Sequence, residues 1–181
     1  MKNILTLLAF LFVMNVNAQV YDMQNWKTQT DLQFFSTIQY PPNWVAEDVN
    51  ASGYIIRSPS EGSGDKFREN VSLFAMEAPA DLMKMDIKDF AEINFAETRK
   101  VVKEISIMSR KYVTINEMPM YLIVYNGLYN GQYLYWKQLF CLHKGAFYML
   151  TYAGEAGKKD KYALAGGDML YSFKPYIAIK R

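Results

Sequence analysis

The chain has a single cysteine, Cys141, so no disulfide can form within it and the core must hold by packing alone. It also has a single histidine, His143. On a strand, residues two apart share a face, but a zinc site wants three or four ligands. The pair therefore reads as a semi-buried thiol and a turn histidine, with no metal and no cofactor implied. No apolar run reaches the roughly 20 residues that a membrane-crossing helix needs. No Gly-x-Ser-x-Gly elbow is present to supply a nucleophile for His143. Gly62-Ser63-Gly64 lies in an acidic stretch without the Lys and following helix of a phosphate cradle. EF-hand spacing and internal repeats are missing too. Excess charge of one sign is also lacking, with 20 Lys and Arg against 18 Asp and Glu. Such a balance exerts no long-range pull on nucleic acid or anionic lipid.

What is present begins with a targeting pattern. Lys2 precedes the apolar stretch Ile4 to Met14, broken only by Thr6, and Asn15-Val16-Asn17-Ala18 follows. A basic start, a short apolar segment and a small residue at the end predict a secretory signal peptide over residues 1–18, cut between Ala18 and Gln19. The apolar segment is too short to cross about 30 Å of hydrocarbon. The polar stretch from Gln24 to Gln33 argues against a buried element continuing from it. No cysteine near the cut argues against a lipid-anchored end. The expected product is exported to the periplasm or the medium, with no transmembrane anchor. Its 163 residues, 19 basic and 18 acidic, suit one domain that buries about 70% of its unfolded surface. Fourteen Tyr, 11 Phe and 11 Met supply the large side chains that a core without disulfides needs.

Residues 19–32 show little period and read as a flexible lead-in to a domain spanning 33–181. Phe34 to Tyr40 alternates as a strand and Pro41-Pro42-Asn43 ends it. Trp44 to Val49 and Tyr54 to Ser58 are the next strands, with Asn50 to Gly53 as a turn. Ser58 to Asp65 is rich in Ser and Gly and reads as a mobile loop. Phe67 to Ala78 is a fourth strand. Asp86 to Lys103 is the clearest helix, capped by Asp86 and apolar at Ile87, Phe90, Ala91, Thr98, Val101 and Val102. Ser106 to Ile115, Met118 to Tyr129, Gln132 to Leu142 and Ala146 to Ala153 form a meander. Its tightest turn is Asn130-Gly131, where both residues need positive φ. Asp160 to Tyr171 reads as a second helix, weakened by Gly166 and Gly167, and Ser172 to Ile179 closes the chain. Runs of strands with few helices predict α+β with an antiparallel sheet.

Four local patterns fall together along this order: Tyr40-Pro41-Pro42-Asn43-Trp44, Phe67-Arg68-Glu69-Asn70-Val71, Tyr148-x-Leu150-Thr151-Tyr152 and Ser172-Phe173. Over residues 33 to 177 the chain resembles the PsbP-like group, within the fold family shared by PsbP, the Ran-binding Mog proteins and the DcrB lipoproteins. The Asn-Ala end of the signal, followed by Gln19, resembles those of Bacteroidetes-type bacteria. The resemblance implies an α/β/α sandwich around the antiparallel sheet. It does not fix a role: PsbP is a photosystem II accessory protein, the known members' functions diverge, and none of the well-known ones is a classical enzyme.

The candidate sites are few. Tyr121 and Tyr125 share a face of one strand, Tyr133 and Tyr135 of the next, and Tyr148 and Tyr152 of the last. If those faces coincide, the sheet carries a tyrosine-rich surface suited to a protein or glycan partner; a covered face with hydroxyls at its rim accounts for the same pattern. Arg57, Arg68 and Glu69 flank the Ser58 to Arg68 loop and would be the polar groups of a small-molecule hydrolase there. Asp86, Asp89 and Glu92 open a helix, where they complement its dipole. Lys158, Lys159 and Lys161, and Arg99, Lys100 and Lys103, read as solvated helix faces. The expected function is a non-enzymatic binding or accessory domain of the cell envelope or exterior. A hydrolase-like enzyme and a structural component of an envelope assembly are the alternatives.

Overall fold

The computed structural model describes residues 23–49 and 53–176. The signal peptide and its cleavage site lie outside the described residues, as does the end of the closing segment. Ten strands and two longer helices follow in the order β1 (Lys27–Asp31), β2 (Ser36–Tyr40), β3 (Val45–Asp48), β4 (Gly53–Arg57), β5 (Asn70–Glu77), α1 (Ile87–Val101), β6 (Lys103–Ile115), β7 (Met118–Tyr129), β8 (Gln132–His143), β9 (Ala146–Glu155), α2 (Lys159–Ser172) and β10 (Lys174–Pro175).

β3-β4-β5-β9-β8-β7-β6 make a seven-stranded sheet, and β1-β2-β10 a smaller one. All pairings are antiparallel. α1 carries the chain from β5, in mid-sheet, to β6 at the far edge. The meander then returns strand by strand until β9 pairs with β5, Asn70 opposite Ala153. Each hairpin of that meander closes in two residues. Asn116-Glu117, Asn130-Gly131 and Lys144-Gly145 all have positive φ, the twist that a two-residue hairpin requires.

α1 starts where Asp86, in extended conformation, accepts the Lys88 N–H at 2.7 Å. Its buried residues Ala91 and Phe95 meet Tyr121, Ile123, Tyr125, Trp136 and Phe140 on one sheet face. α2 covers the other face with Tyr162, Met169 and Leu170, against Val71, Leu73, Leu139, Leu150 and Tyr152. The expected α/β/α sandwich is therefore the observed one, with the small sheet packed on the α2 side through Ile38 and Tyr40. Gly166 and Gly167, which weaken α2 in isolation, have a packing reason. A Cβ on Gly166 would lie 2.1 Å from Tyr152 Cδ2, so α2 can settle on the ring of β9 only because that position is bare.

One segment departs from the reading above. Residues 19–32 were expected to be a loose lead-in, yet Lys27 to Asp31 forms β1, paired with β2 from Lys27↔Tyr40 to Asp31↔Ser36. Its sequence, Lys-Thr-Gln-Thr-Asp, shows no apolar alternation because every residue is exposed or half-exposed. Main-chain pairing makes the strand, with Lys27 over the Tyr40 ring at 5.8 Å and Gln29 donating to Asp48 at 3.3 Å as its side-chain contacts.

Candidate functional site

Register settles the tyrosine question. Tyr125 lies opposite Trp136, and Tyr135 opposite Asn126. Tyr121 and Tyr125 therefore face α1, where Tyr125 stacks on Trp136 at 5.0 Å and meets Phe95 edge-on at 5.0 Å. Tyr135, Tyr148 and Tyr152 face α2. The six tyrosines do not form one surface, and of the four singled out on β7 and β8 only Tyr133 is exposed. Alternation within a strand was legible; the register that aligns one strand's faces with the next was not.

The arginines flanking the 58–68 loop are engaged. Arg57 pairs with Glu47 across β3 and β4, and Arg68 Nε donates to the Ser58 carbonyl at 2.7 Å. They line a shallow open depression of about 520 Å³ with Glu47, Asp65 and Asn70. The loop itself, read as mobile, is fastened to the start of α2. Lys158 Nζ lies 3.0 Å from Glu61, 3.1 Å from Asp65 and 2.6 Å from Glu155. Lys161 pairs with Glu61, and the Tyr162 hydroxyl donates to Glu61 at 2.5 Å. Hydrogen bonds from Lys161, Tyr162 and Lys158 hold the Glu61 carboxyl down at about 2. Two of the three lysines expected on a solvated face thus bind the loop. Their partners are about a hundred residues away in sequence, which no local pattern reveals.

Glu69 sits beneath this clasp, buried. Its Oε2 accepts from Ser58 Oγ at 3.3 Å. Among the described residues its Oε1 and the neighbouring Tyr152 hydroxyl have no hydrogen-bond partner. Burial raises the Glu69 carboxyl above the usual carboxylate range. A raised carboxyl favours the folded state most while protonated. That contribution is complete below the unfolded value, about 4.3, and is lost as pH rises through the folded value. Glu69→Gln keeps an acceptor for Ser58 and never ionises. Urea unfolding is expected to show the variant gaining on the native chain as pH rises above about 4, until the folded-state carboxyl has ionised. A stability difference that does not change with pH would contradict this.

Among the described residues no group of three or more His, Cys, Asp or Glu could hold a metal ion. Cys141 is buried, and burial pushes its thiol up to about 12, so it offers no thiolate at neutral pH. Asp86 caps α1 and accepts from the Tyr112 hydroxyl at 2.6 Å, and Glu92 pairs with Arg110 at 3.2 Å. The acidic cluster therefore has structural employment.

What remains is a surface that sequence reading did not single out. α1 packs over β6, β7 and β8. On the same side, β3, β4 and β5 carry no helix. Val45 is 51% exposed there, Phe74 39% and Met76 37%, with half-buried Ile55 between them and Met149 beside Phe74. Met83 and Met85, in the turn before α1, are exposed as well. The signal was present in β5, where Phe74 and Met76 alternate with the buried Leu73 and Ala75; only the absence of a second cover helix was hidden.

No protein-family model and no curated protein sequence matches the chain. Solved structures do. The chain is similar to cyanobacterial PsbP (CyanoP) from Synechocystis sp. PCC 6803, with a TM-score of 0.64 and 15% identity over 83% of this chain and 92% of that one. It is similar to a protein from Bacteroides thetaiotaomicron VPI-5482 at a TM-score of 0.60 and 12% identity, covering 84% of this chain and 49% of that longer one. LpqN of Mycobacterium tuberculosis, described as involved in cell envelope biogenesis, matches with a TM-score of 0.53 and 9% identity, over 77% of this chain and 82% of that one. The fold is PsbP-like. Among the described residues no helix is long and apolar enough to cross a membrane.

Proposed function

We propose that this PsbP-like chain is an exported, non-enzymatic accessory domain that binds a protein partner of the cell envelope on the helix-free part of its main sheet. The observation that carries the reading is the exposed apolar pair Phe74 and Met76 on β5, with Met83 and Met85 exposed in the turn before α1 and Val45 exposed further out on β3. Large apolar side chains left exposed together on one sheet face mark interaction sites, and methionine side chains adapt to an irregular partner surface. The signal-like pattern at the start of the chain and the structural likeness to an envelope-biogenesis protein support an envelope setting. Fold likeness alone does not assign the partner.

Site-specific crosslinking in the native cell tests the surface. A photoreactive amino acid at Phe74 or Met76 is expected to give one discrete adduct from the envelope fraction. The same group at Leu164, exposed on α2, is expected to give none. Phe74→Lys should abolish adducts from the Met76 position while the chain stays folded, at a cost of about 1–2 kcal/mol for the lost contact with Phe147. Equal labelling from Leu164, or none from Phe74 and Met76, would sink the reading.

A further inference from the structure

A second cleft lies on the opposite side of the main sheet, at the end where the β5 terminus and the β8–β9 turn meet the small sheet. It has a volume of about 500 Å³, within the range of small-molecule sites. Four aromatic rings shape it, those of Phe34, Phe35, Tyr148 and Tyr176. The walls are held in place before any ligand arrives. Asp31 Oδ1 accepts the N–H groups of Gln33 at 2.9 Å and Phe34 at 2.8 Å. The Tyr148 hydroxyl donates to the Phe34 carbonyl at 2.7 Å. Tyr176 N–H donates to the Phe35 carbonyl at 2.7 Å. Phe35 has φ 48°, a conformation that bulky residues rarely adopt and that accumulates at functional positions. Its ring stands edge-on to Tyr176 at 6.0 Å, and both remain more than a third exposed.

The polar lining is the second half of the observation. Glu77, His143 and Lys144 all border the cleft, and among the described residues their side chains make no hydrogen bond or ion pair with any neighbour. An acid and a base at one mouth, paired neither with each other nor with anything else, stand in contrast to the clasp at Lys158, where Glu61, Asp65, Glu155, Lys158 and Lys161 are all paired. His143 is held below its ordinary value by burial and by Lys144, so at neutral pH it adds a hydrogen-bonding ring rather than a charge.

We propose that this cleft binds a small zwitterion with an aromatic body, of the chemical class of a free aromatic amino acid. The ring packs among Phe34, Phe35 and Tyr148, the ammonium group faces Glu77 and the carboxylate faces Lys144. Offset and edge-on ring contacts supply the apolar part; the two charges supply orientation. The same chemistry is offered by the end of a peptide, but there only one of the two charges sits beside the ring.

The test is a titration of the folded protein followed by NMR, with L-phenylalanine, two of its derivatives and N-acetylglucosamine as probes. L-phenylalanine is expected to give saturable shifts confined to Phe34, Phe35, His143 to Ala146 and Tyr176. N-acetyl-L-phenylalanine lacks the ammonium and L-phenylalaninamide lacks the carboxylate; each is expected to bind at least about tenfold more weakly. Glu77→Gln should erase the difference between L-phenylalanine and its N-acetyl form, and Lys144→Met the difference from the amide. If the amide alone binds as well as L-phenylalanine, the site reads a peptide amino terminus, and the free amino acid is excluded. No saturable shift at these residues up to about 20 mM, a concentration that would detect millimolar binding, overturns the proposal, as does binding of N-acetylglucosamine in its place. The crosslinking surface lies on the other face of the sheet, so failure of one leaves the other standing.

Discussion

Gly166→Ala is expected to destabilise the fold by about 2 kcal/mol or more, although helix propensity alone predicts a gain of about 1 kcal/mol. The new Cβ would lie 2.1 Å from Tyr152 Cδ2 and 2.4 Å from Cε2, far inside contact distance. Neither partner can yield. Tyr152 is completely buried, and its strand is hydrogen-bonded to β5 on one side and β8 on the other. α2 is fixed in turn by Ala165, Met169 and Leu170, all fully buried. Gly167→Ala, one position along the same helix, is the internal control. Its Cβ would meet only the end of the flexible Lys137 side chain, at 3.0 Å, so that variant should be neutral or more stable by up to about 1 kcal/mol. Urea midpoints of the two variants should fall on opposite sides of the native value. Tyr152→Leu combined with Gly166→Ala should cost less than the sum of the two changes, because they share one contact. Two alanine variants of equal stability would mean that α2 does not sit on the ring.

Lys158→Met is the second change with a large expected effect. It removes the one ammonium that three carboxylates share, and the Asp65 side chain is almost wholly buried while Lys158 itself is 27% exposed. Breaking a fully buried ion pair from one side costs about 3–5 kcal/mol. Partial exposure screens this one, and about 2 kcal/mol is the expected loss at neutral pH. The pH dependence carries the mechanism. The Glu61 and Asp65 carboxyls are held below their usual range, so their contribution is present above the unfolded values of about 4 and lost as pH falls through the folded ones. The gap between native and variant should therefore close between about pH 4 and pH 2. Limited trypsin digestion should also begin to cut after Lys66 in the variant, once the loop is released from α2. A gap that persists at low pH would show that Lys158 acts through packing rather than through charge.

These two sites show what the sequence could convey and what it could not. The cap at Asp86, the turn at Asn130-Gly131 and the alternation of β5 are local, and each was legible. So was the antiparallel meander, because long strands joined by two-residue turns leave little choice of pairing; the α/β/α layering was implied by the resemblance to the PsbP-like group. Gly166 looked like a defect in a helix because its reason, the ring of Tyr152, comes from another element. β1 was invisible because a strand without a buried face has no apolar period. The Lys158 clasp joins residues 61–65 to 155–161, and the aromatic cleft joins residues 33–35, 77, 143–148 and 176. Such sites are made by topology, and composition alone carries no trace of them.

The position of β9 has a consequence for how the chain reaches this fold. β5 is complete by Glu77, but its inner partner does not begin until Ala146. Through the whole of α1 and the first three strands of the meander, β5 and its hairpin with β4 wait with one side open. The two halves of the sheet can join only when the last long strand slides between β5 and β8. Pairings this distant in sequence slow folding, and an unpaired edge in the meantime invites association with other chains. A chain ending before Ala146 would keep both edges open permanently. The last long strand to emerge from synthesis is the one that turns two separate ribbons into a single sheet.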